Sequence, residues 1–345
     1  MTKLQTIFNK KKIFFIAEIG LNHNGSLDIA RQMLIEASKC GADAVKFQTF
    51  VPDQMNSVYT DSLMKSGNEK QISTVELDFF SRFILSKDEY IELLRIADKL
   101  NILLFSSPFD VDSVDLLETV GIEIYKIASS EVTNHILLSR IAKTKKPVIM
   151  STGISSEKEI AMAINILNVG GTPHIILMHC VSLYPLPLRF ANLKRIASLR
   201  ERFNLDVGFS DHTRNFKSLE IAAAYGARIF EKHFTINKDY VCPDQEISIT
   251  PHEFIEMRKS VDVILEMTGD GHISYDYSEK ETAKLARRSL FARRFIEKGK
   301  ILEHSDIIPK RPGIGIPVYM LNEIIGKKSG IDIMKDFVLK IEYFE

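Results

Sequence analysis

Eight short apolar runs recur along the first 235 residues, and nearly every one ends in side chains able to bind, donate or titrate. The first four are Phe14 to Gly20 (carrying Glu18), Ala44 to Phe50 (Lys46, Gln48), Leu103 to Phe109 (Ser106, Ser107) and Tyr125 to Ser130 (Lys126, Ser129). The others are Pro147 to Gly153 (Ser151), Ile175 to Val181 (His179), Asp206 to His212 (Ser210, Asp211, His212) and Arg228 to Thr235 (Glu231, Lys232, His233). Short β-branched runs separated by stretches of helical period read as buried parallel strands in repeated βα units. Eight such units predict a closed (β/α)8, or TIM, barrel, whose active site lies at the C-terminal ends of the strands, where these polar residues fall.

Helical-period segments such as Ser26 to Cys40, Lys87 to Leu100, Val111 to Val120, Ser156 to Val169 and Leu193 to Phe203 supply the crossovers. Ser26 is a good N-cap, with Asp28 in the first turn and Gly41 as the stop. The connection from Val51 to Ser86 is long and polar, which marks a binding loop or lid expected to overhang the site. A last barrel helix runs from Pro251 to about Met267, so the domain boundaries are 1–268 for the barrel, 269–286 for a polar linker and 287–345 for a small C-terminal unit. That unit is small for an independent core and is expected to lean on another surface.

The chain has 345 residues, 45% hydrophobic and 26% charged, as in ordinary soluble globular proteins. Basic and acidic residues both number 45, so charge gives no reason to expect nucleic acid or an anionic membrane as a partner. Cys40, Cys180 and Cys242 have no CxxC spacing, which argues against disulfides and structural zinc. With no signal-like or bilayer-length apolar segment, a soluble cytoplasmic protein is expected.

His212 and His233 close the seventh and eighth runs, neighbours in a closed barrel, so their imidazoles can converge on one ion; Mn²⁺, Zn²⁺, Fe²⁺ and Mg²⁺ all remain open. Lys46, Lys126, Ser151 and Ser210 share the same barrel mouth and suit a phosphate or carboxylate. A Schiff-base role for either lysine ranks lower. Glu18 and Glu131 are the carboxylates best placed for proton transfer. Burial of Glu18 requires a partner, expected to be a lysine or an orienting Asn22 or His23. Cys180 beside His179 is not a nucleophile pair, because consecutive strand residues face opposite sides.

These residues give the chain a resemblance to the sialic acid synthase family. The matching stretches are Ala17-Glu18-Ile19-Gly20 with Asn22-His23-Asn24-Gly25, Gly41 to Thr49, Ser107-Pro108-Phe109, Tyr125-Lys126-Ile127 with Ser129 and Glu131, and Ser151-Thr152-Gly153. They continue through His179-Cys180 with Tyr184-Pro185, Gly208 to His212, and Glu231 to Phe234. Arg288-Ser289-Leu290, Ile296 to Gly299, Lys310 to Gly313 and Gly326-Lys327 resemble the family's antifreeze-like (SAF) domain, a small β-clip.

The resemblance implies a transferase that condenses phosphoenolpyruvate with an N-acyl mannosamine or related amino sugar, with C–O cleavage and release of phosphate and a nine-carbon 2-keto acid. It implies Mn²⁺ or Mg²⁺ on His212 and His233, and a domain-swapped homodimer. Lys46, Lys126, Ser129, Ser151, Ser182 and Ser210 map to the phosphoenolpyruvate side. Glu18, Gln48, Ser107, Glu131, Tyr184 and Asp244 map to the sugar or to proton handling, and Arg311 to the partner subunit's site.

Three departures stand out. Cys242-Pro243-Asp244 replaces Gly-Pro-Asp, and Ser182 and Ile314 stand where asparagine is usual. An apolar Ile314 beside the N-acyl end would favour a less hydroxylated acceptor, which sets N-acetylmannosamine against a 2,4-diacetamido-trideoxy sugar leading to legionaminic or pseudaminic acid. The opening motif looks less like the pseudaminic branch. The competing classes are a synthase using an unaminated sugar phosphate, which would need further basic residues, and a non-enzymatic carbohydrate- or ice-binding protein.

Overall fold

The structure is a computed structural model that describes residues 3–9, 12–55, 80–240, 242–273 and 277–345. Most of the expected Val51 to Ser86 binding loop therefore lies outside the described residues. The chain divides into two compact units, Met1–Gly269 and Asp270–Glu345.

In the first unit β1 (Phe14–Gly20), β2 (Ala44–Thr49), β3 (Leu103–Pro108), β4 (Tyr125–Ile127), β5 (Val148–Ser151), β6 (Ile175–His179), β7 (Asp206–Asp211) and β8 (Ile229–His233) close into a barrel in chain order. Every neighbouring pair is parallel, and β8 returns to β1 with Glu18 opposite His233. This is the (β/α)8 barrel expected from the eight apolar runs. The strands are buried along almost their whole length because helices cover the outside and side chains fill the inside.

Local sequence fixes where the crossovers begin. Ser86, Ser156 and Thr250 each form a reciprocal capping box with a glutamate three residues on, and Ser26, Asp110 and Asn134 cap with their side chains alone. These caps fix the points at which the helices start, while the loops between strand and helix vary in length. Ile7 of the short N-terminal helix Lys3–Ile7 belongs to the barrel core, and Phe8 packs on His174 with ring centroids 4.7 Å apart.

The second unit contains the antiparallel pair β9 (Ser289–Ala292) and β10 (Ile307–Lys310). It has its own apolar core, including Leu290, Ile296, Leu302, Ile316 and Leu339. The stretch read as a linker is not wholly extended: a helix spans Tyr277–Ala286, and the Lys284 carbonyl accepts from the Gly313 N–H, 2.7 Å. Its polar sequence marks solvent exposure, which a surface helix satisfies as well as a linker does. Among the described residues no helix is long and apolar enough to cross a membrane.

Candidate active site at the barrel mouth

A cavity of about 360 Å³ opens at the C-terminal ends of the strands. Its floor follows from strand alternation. On β8, Glu231 and His233 face inward and Lys232 outward, and on β7 Ser210 faces inward and Asp211 outward. Register then sets neighbours side by side: Lys46 is opposite Glu18 across β1 and β2, and Ser210 is opposite Glu231 across β7 and β8.

The result is a buried four-charge network. Lys46 Nζ lies 3.1 Å from Glu18 Oε2 and 3.6 Å from Glu231 Oε1, and Lys126 Nζ lies 3.2 Å from the same Glu231 oxygen. Ser210 also donates to that oxygen, 3.0 Å, while Lys46 reaches Ser107 Oγ at 3.2 Å and Gln48 donates to Glu18 Oε1 at 3.1 Å. Burial alone would raise the pKa of Glu231, but Lys126, Lys46 and the Ser210 hydroxyl prevail and hold it down to about 2. Burial wins at Glu18, whose carboxyl is raised despite Lys46. Two carboxyls on one floor are thus pushed apart, the arrangement that separates a proton carrier from a fixed anion. Burial also lowers Lys126, whereas at Lys46 the two carboxylates overcome burial and raise it.

Because the Glu231 carboxyl drops from 4.5 to about 2 on folding, its contribution to stability is complete above pH 4.5 and is lost as the pH falls toward 2. Glu231→Gln is accordingly expected to flatten the decline in melting temperature between pH 5 and pH 3, as measured by thermal unfolding. An unchanged slope would contradict the ion-paired state.

The histidines sit at one side of this floor with ring centroids 5.6 Å apart. His212 Nδ1 donates to the Val181 carbonyl at 2.9 Å, leaving Nε2 as a lone-pair donor. Burial lowers its pKa to about 3, so the ring is neutral at physiological pH. His233 Nδ1 is buried without a hydrogen bond, and Asp244 Oδ2 stands 3.4 Å away. Burial tends to raise Asp244, but the contact with His233, helped by Lys46, outweighs it, so this carboxyl stays low. The Tyr184 ring lies over His212 at 4.2 Å and meets His233 edge-on at 6.4 Å.

The free Nε2 of His212 and the orphaned ring nitrogen of His233 fit a divalent transition metal. Among the described residues no group of three His, Cys, Asp or Glu side chains forms a complete ligand set. Further ligands would have to be oxygens of substrate or water.

Two glycines shape the cavity. Gly20 sits at the β1 bulge with φ +52°, and a Cβ there would lie 3.0 Å from Glu18 Oε1, 3.2 Å from Asp244 Oδ2 and 3.2 Å from Gln48 Nε2. A Cβ on Gly153 would stand 2.6 Å from Ser182 Oγ, 2.8 Å from Ser129 Oγ and 2.9 Å from Cys180 Sγ. Gly153→Ala should push this hydroxyl-lined wall outward at a cost of ~1–3 kcal/mol. If the wall binds the substrate anion, KM for that anion rises roughly 5- to 150-fold with a smaller change in kcat. Steady-state kinetics check this, and an unchanged KM would remove the wall from the binding site.

Thirteen of the residues singled out from sequence line the cavity: Glu18, Lys46, Gln48, Ser107, Lys126, Ser129, Ser151, Ser182, Tyr184, Ser210, His212, His233 and Asp244. Glu131 does not; it ends a 3-10 turn and accepts from the Asn134 amide, 2.8 Å, at the start of the next helix. The central carboxylate is Glu231, which sequence reading noticed at a strand end but did not place in the site. Its position two residues before His233 was the available signal. Arg311 is exposed in the second unit.

Asn22 does not orient Glu18. Its amide donates to the Phe234 carbonyl (2.9 Å) and Ser248 Oγ (2.8 Å), and Cys242 Sγ donates to its Oδ1 (2.8 Å). Asp244 therefore lines the cavity although Cys242 precedes it in place of glycine. His179 and Cys180 diverge as expected, His179 binding the Ala191 carbonyl and Cys180 lining the cavity.

The sequence profile described as the NeuB family matches residues 33–273, and that of the SAF domain matches residues 287–340. The chain is 37% identical over 334 residues to an N,N'-diacetyllegionaminic acid synthase of Campylobacter jejuni, covering 96% of this chain and 99% of that protein. It is 36% identical over 325 residues to a pseudaminic acid synthase of the same species, covering 94% of each. A solved N-acetylneuraminic acid (sialic acid) synthetase of Leptospira borgpetersenii is similar at 34% identity and TM-score 0.70, covering 79% of this chain and 90% of that one. The two Campylobacter proteins match almost equally well, so overall identity does not set the chain apart from the pseudaminic branch.

Proposed function

The chain belongs to the NeuB family, and from that membership we propose that it condenses phosphoenolpyruvate with the open-chain aldehyde of an N-acyl mannosamine-type sugar. The products are phosphate and a nine-carbon 2-keto acid of the N-acetylneuraminate type. The observation that carries this reading is the juxtaposition, in one cavity, of two buried lysines among serine hydroxyls with two imidazoles at its edge.

Lys46, Lys126 and the hydroxyls of Ser129, Ser151, Ser182 and Ser210 hold the phosphate and carboxylate, fixing the enol-phosphate near the imidazoles. His212 and His233 hold Mn²⁺ or Mg²⁺, which when bound supplies Lewis-acid polarisation of the aldehyde oxygen. C3 of phosphoenolpyruvate forms the new bond to the aldehyde carbon, water adds at C2, and the C2–O bond to phosphate breaks. Glu18, whose pKa is raised by burial, is the group placed to pass a proton beside Gln48 and Lys46. Asp244 and Tyr184 flank the acceptor sugar.

A 2,4-diacetamido-trideoxy hexose is the second acceptor reading. It is favoured by Ile314, an exposed apolar side chain following Arg311-Pro312-Gly313, and by the names of the Campylobacter relatives. Dimerisation, with Arg311 serving the partner's site, and a cytoplasmic location complete the proposal. The test is phosphate release from phosphoenolpyruvate after chelation, with and without added Mn²⁺, against N-acetylmannosamine and diacetamido hexoses in parallel. Metal-dependent release with one sugar supports the synthase and names its acceptor; no release with any sugar from folded protein overturns it.

A further inference from the structure

The strongest feature outside the cavity is a wholly buried ion pair on the opposite side of the same two strands. Lys232 Nζ lies 2.9 Å from Asp211 Oδ2, with both side chains completely inaccessible, and it also donates to the Thr213 carbonyl. Asp211 accepts in turn from the Thr213 N–H (3.0 Å) and hydroxyl (2.9 Å). The Thr213 hydroxyl lies 3.2 Å from Ser218 Oγ, in the next helix, Lys217–Ala224. Neither Lys232 nor Asp211 lines the cavity. Burying such a pair costs several kcal/mol of desolvation per ion, which a purely apolar contact would avoid.

The pair interleaves with the candidate metal ligands in sequence. Lys232 stands between Glu231 and His233; Asp211 and Thr213 flank His212. The β7–β8 ladder ends at Asp211 opposite Lys232, so His212 lies one residue beyond the last strand pairing. Past that point the ammonium of Lys232 carries the connection, reaching both residues that flank His212. The His212 carbonyl accepts from the Leu186 N–H at 2.8 Å, which holds the histidine toward β6 but not toward β8.

We infer that the Lys232–Asp211 pair is a positioning clamp that sets the separation of the His212 and His233 imidazoles, and with it the cavity's affinity for a divalent cation. The inference rests on the reading of those histidines as metal ligands. Lys232 and Asp211 touch neither substrate nor metal and act through the histidines. Removing either one lets the 211–215 turn relax and widens the distribution of His212 positions.

The test measures Mn²⁺ affinity by calorimetry on the full chain after chelation, alongside thermal unfolding, for Lys232→Met, Asp211→Asn and the double variant. Lys232→Met is expected to weaken Mn²⁺ binding roughly 10- to 100-fold, as loss of an orienting partner around metal ligands commonly does. The double variant removes the unpaired charge and keeps an acceptor for the Thr213 N–H, so it should regain much of the melting temperature while remaining weak for Mn²⁺. Affinity that recovers together with melting temperature in the double variant would mean the pair only stabilises the fold, and would overturn the clamp. Wild-type affinity in folded single variants would do the same. Wild-type protein that binds no Mn²⁺ would overturn the histidine site itself, and the clamp with it.

Discussion

Glu231→Ala is expected to destabilise the protein by roughly 3–5 kcal/mol and to abolish turnover, because it leaves two buried lysines without their shared counterion. One oxygen of Glu231 is approached by Lys126, Lys46 and Ser210, all within 3.6 Å, and among the described residues Glu231 is the carboxylate in ion-pair contact with Lys126. Truncation strands the ammonium in a site from which solvent is nearly excluded. Glu231→Gln separates the two effects: it keeps an acceptor for Ser210 and nearly the original volume, so the stability loss should be smaller while the lysines still lose their fixed geometry. Glu131→Ala, by contrast, removes a half-buried side chain bound to Asn134 and should fall within about 0.5 kcal/mol of wild type. Urea unfolding and phosphate release measured on all three variants decide the matter. A Glu231→Ala protein as stable as Glu131→Ala would show that the floor network is not formed.

His212→Ala should leave the fold intact and reduce turnover on the order of a thousandfold, to the level of the chelated enzyme. The reasoning is that Lewis-acid polarisation supplies several kcal/mol, and each 1.4 kcal/mol is a factor of ten. The stability cost is small because the lost side chain makes one hydrogen bond, to the Val181 carbonyl, at a cavity wall that water can fill. The variant should also become insensitive to added Mn²⁺, which distinguishes loss of the ion from loss of general packing under Tyr184. Retained Mn²⁺ activation would remove His212 from the ligand set.

The barrel was legible because each strand is a short apolar run ending in polar residues, and that pattern depends only on local sequence. The same reasoning located Lys46, Lys126, Ser210, His212 and His233 at one mouth, since strand ends of a closed barrel converge whatever the loops do. What local sequence could not supply was sidedness beyond a strand end. Glu131 follows β4 by a few residues, but a 3-10 turn rotates it toward Asn134, and turns of this kind leave no periodic trace. Glu231 was visible as a strand carboxylate, yet its central role depends on which cations lie across the barrel from it, a matter of register between distant segments. The Lys232–Asp211 pair is of the same kind: two unremarkable charges until β7 and β8 are aligned.

The near-neutral floor has a thermodynamic consequence for ligand binding. Glu18 and Glu231 already offset Lys46 and Lys126, so an arriving phosphoenolpyruvate competes with resident carboxylates for the same ammonium groups. Of the two acids, Glu18 is the one whose protonation is already eased by burial, so it yields first. Anion binding should then draw a proton from solution. The heat of association would differ among buffers of different ionisation enthalpy, and affinity would weaken as alkalinity makes that proton scarcer.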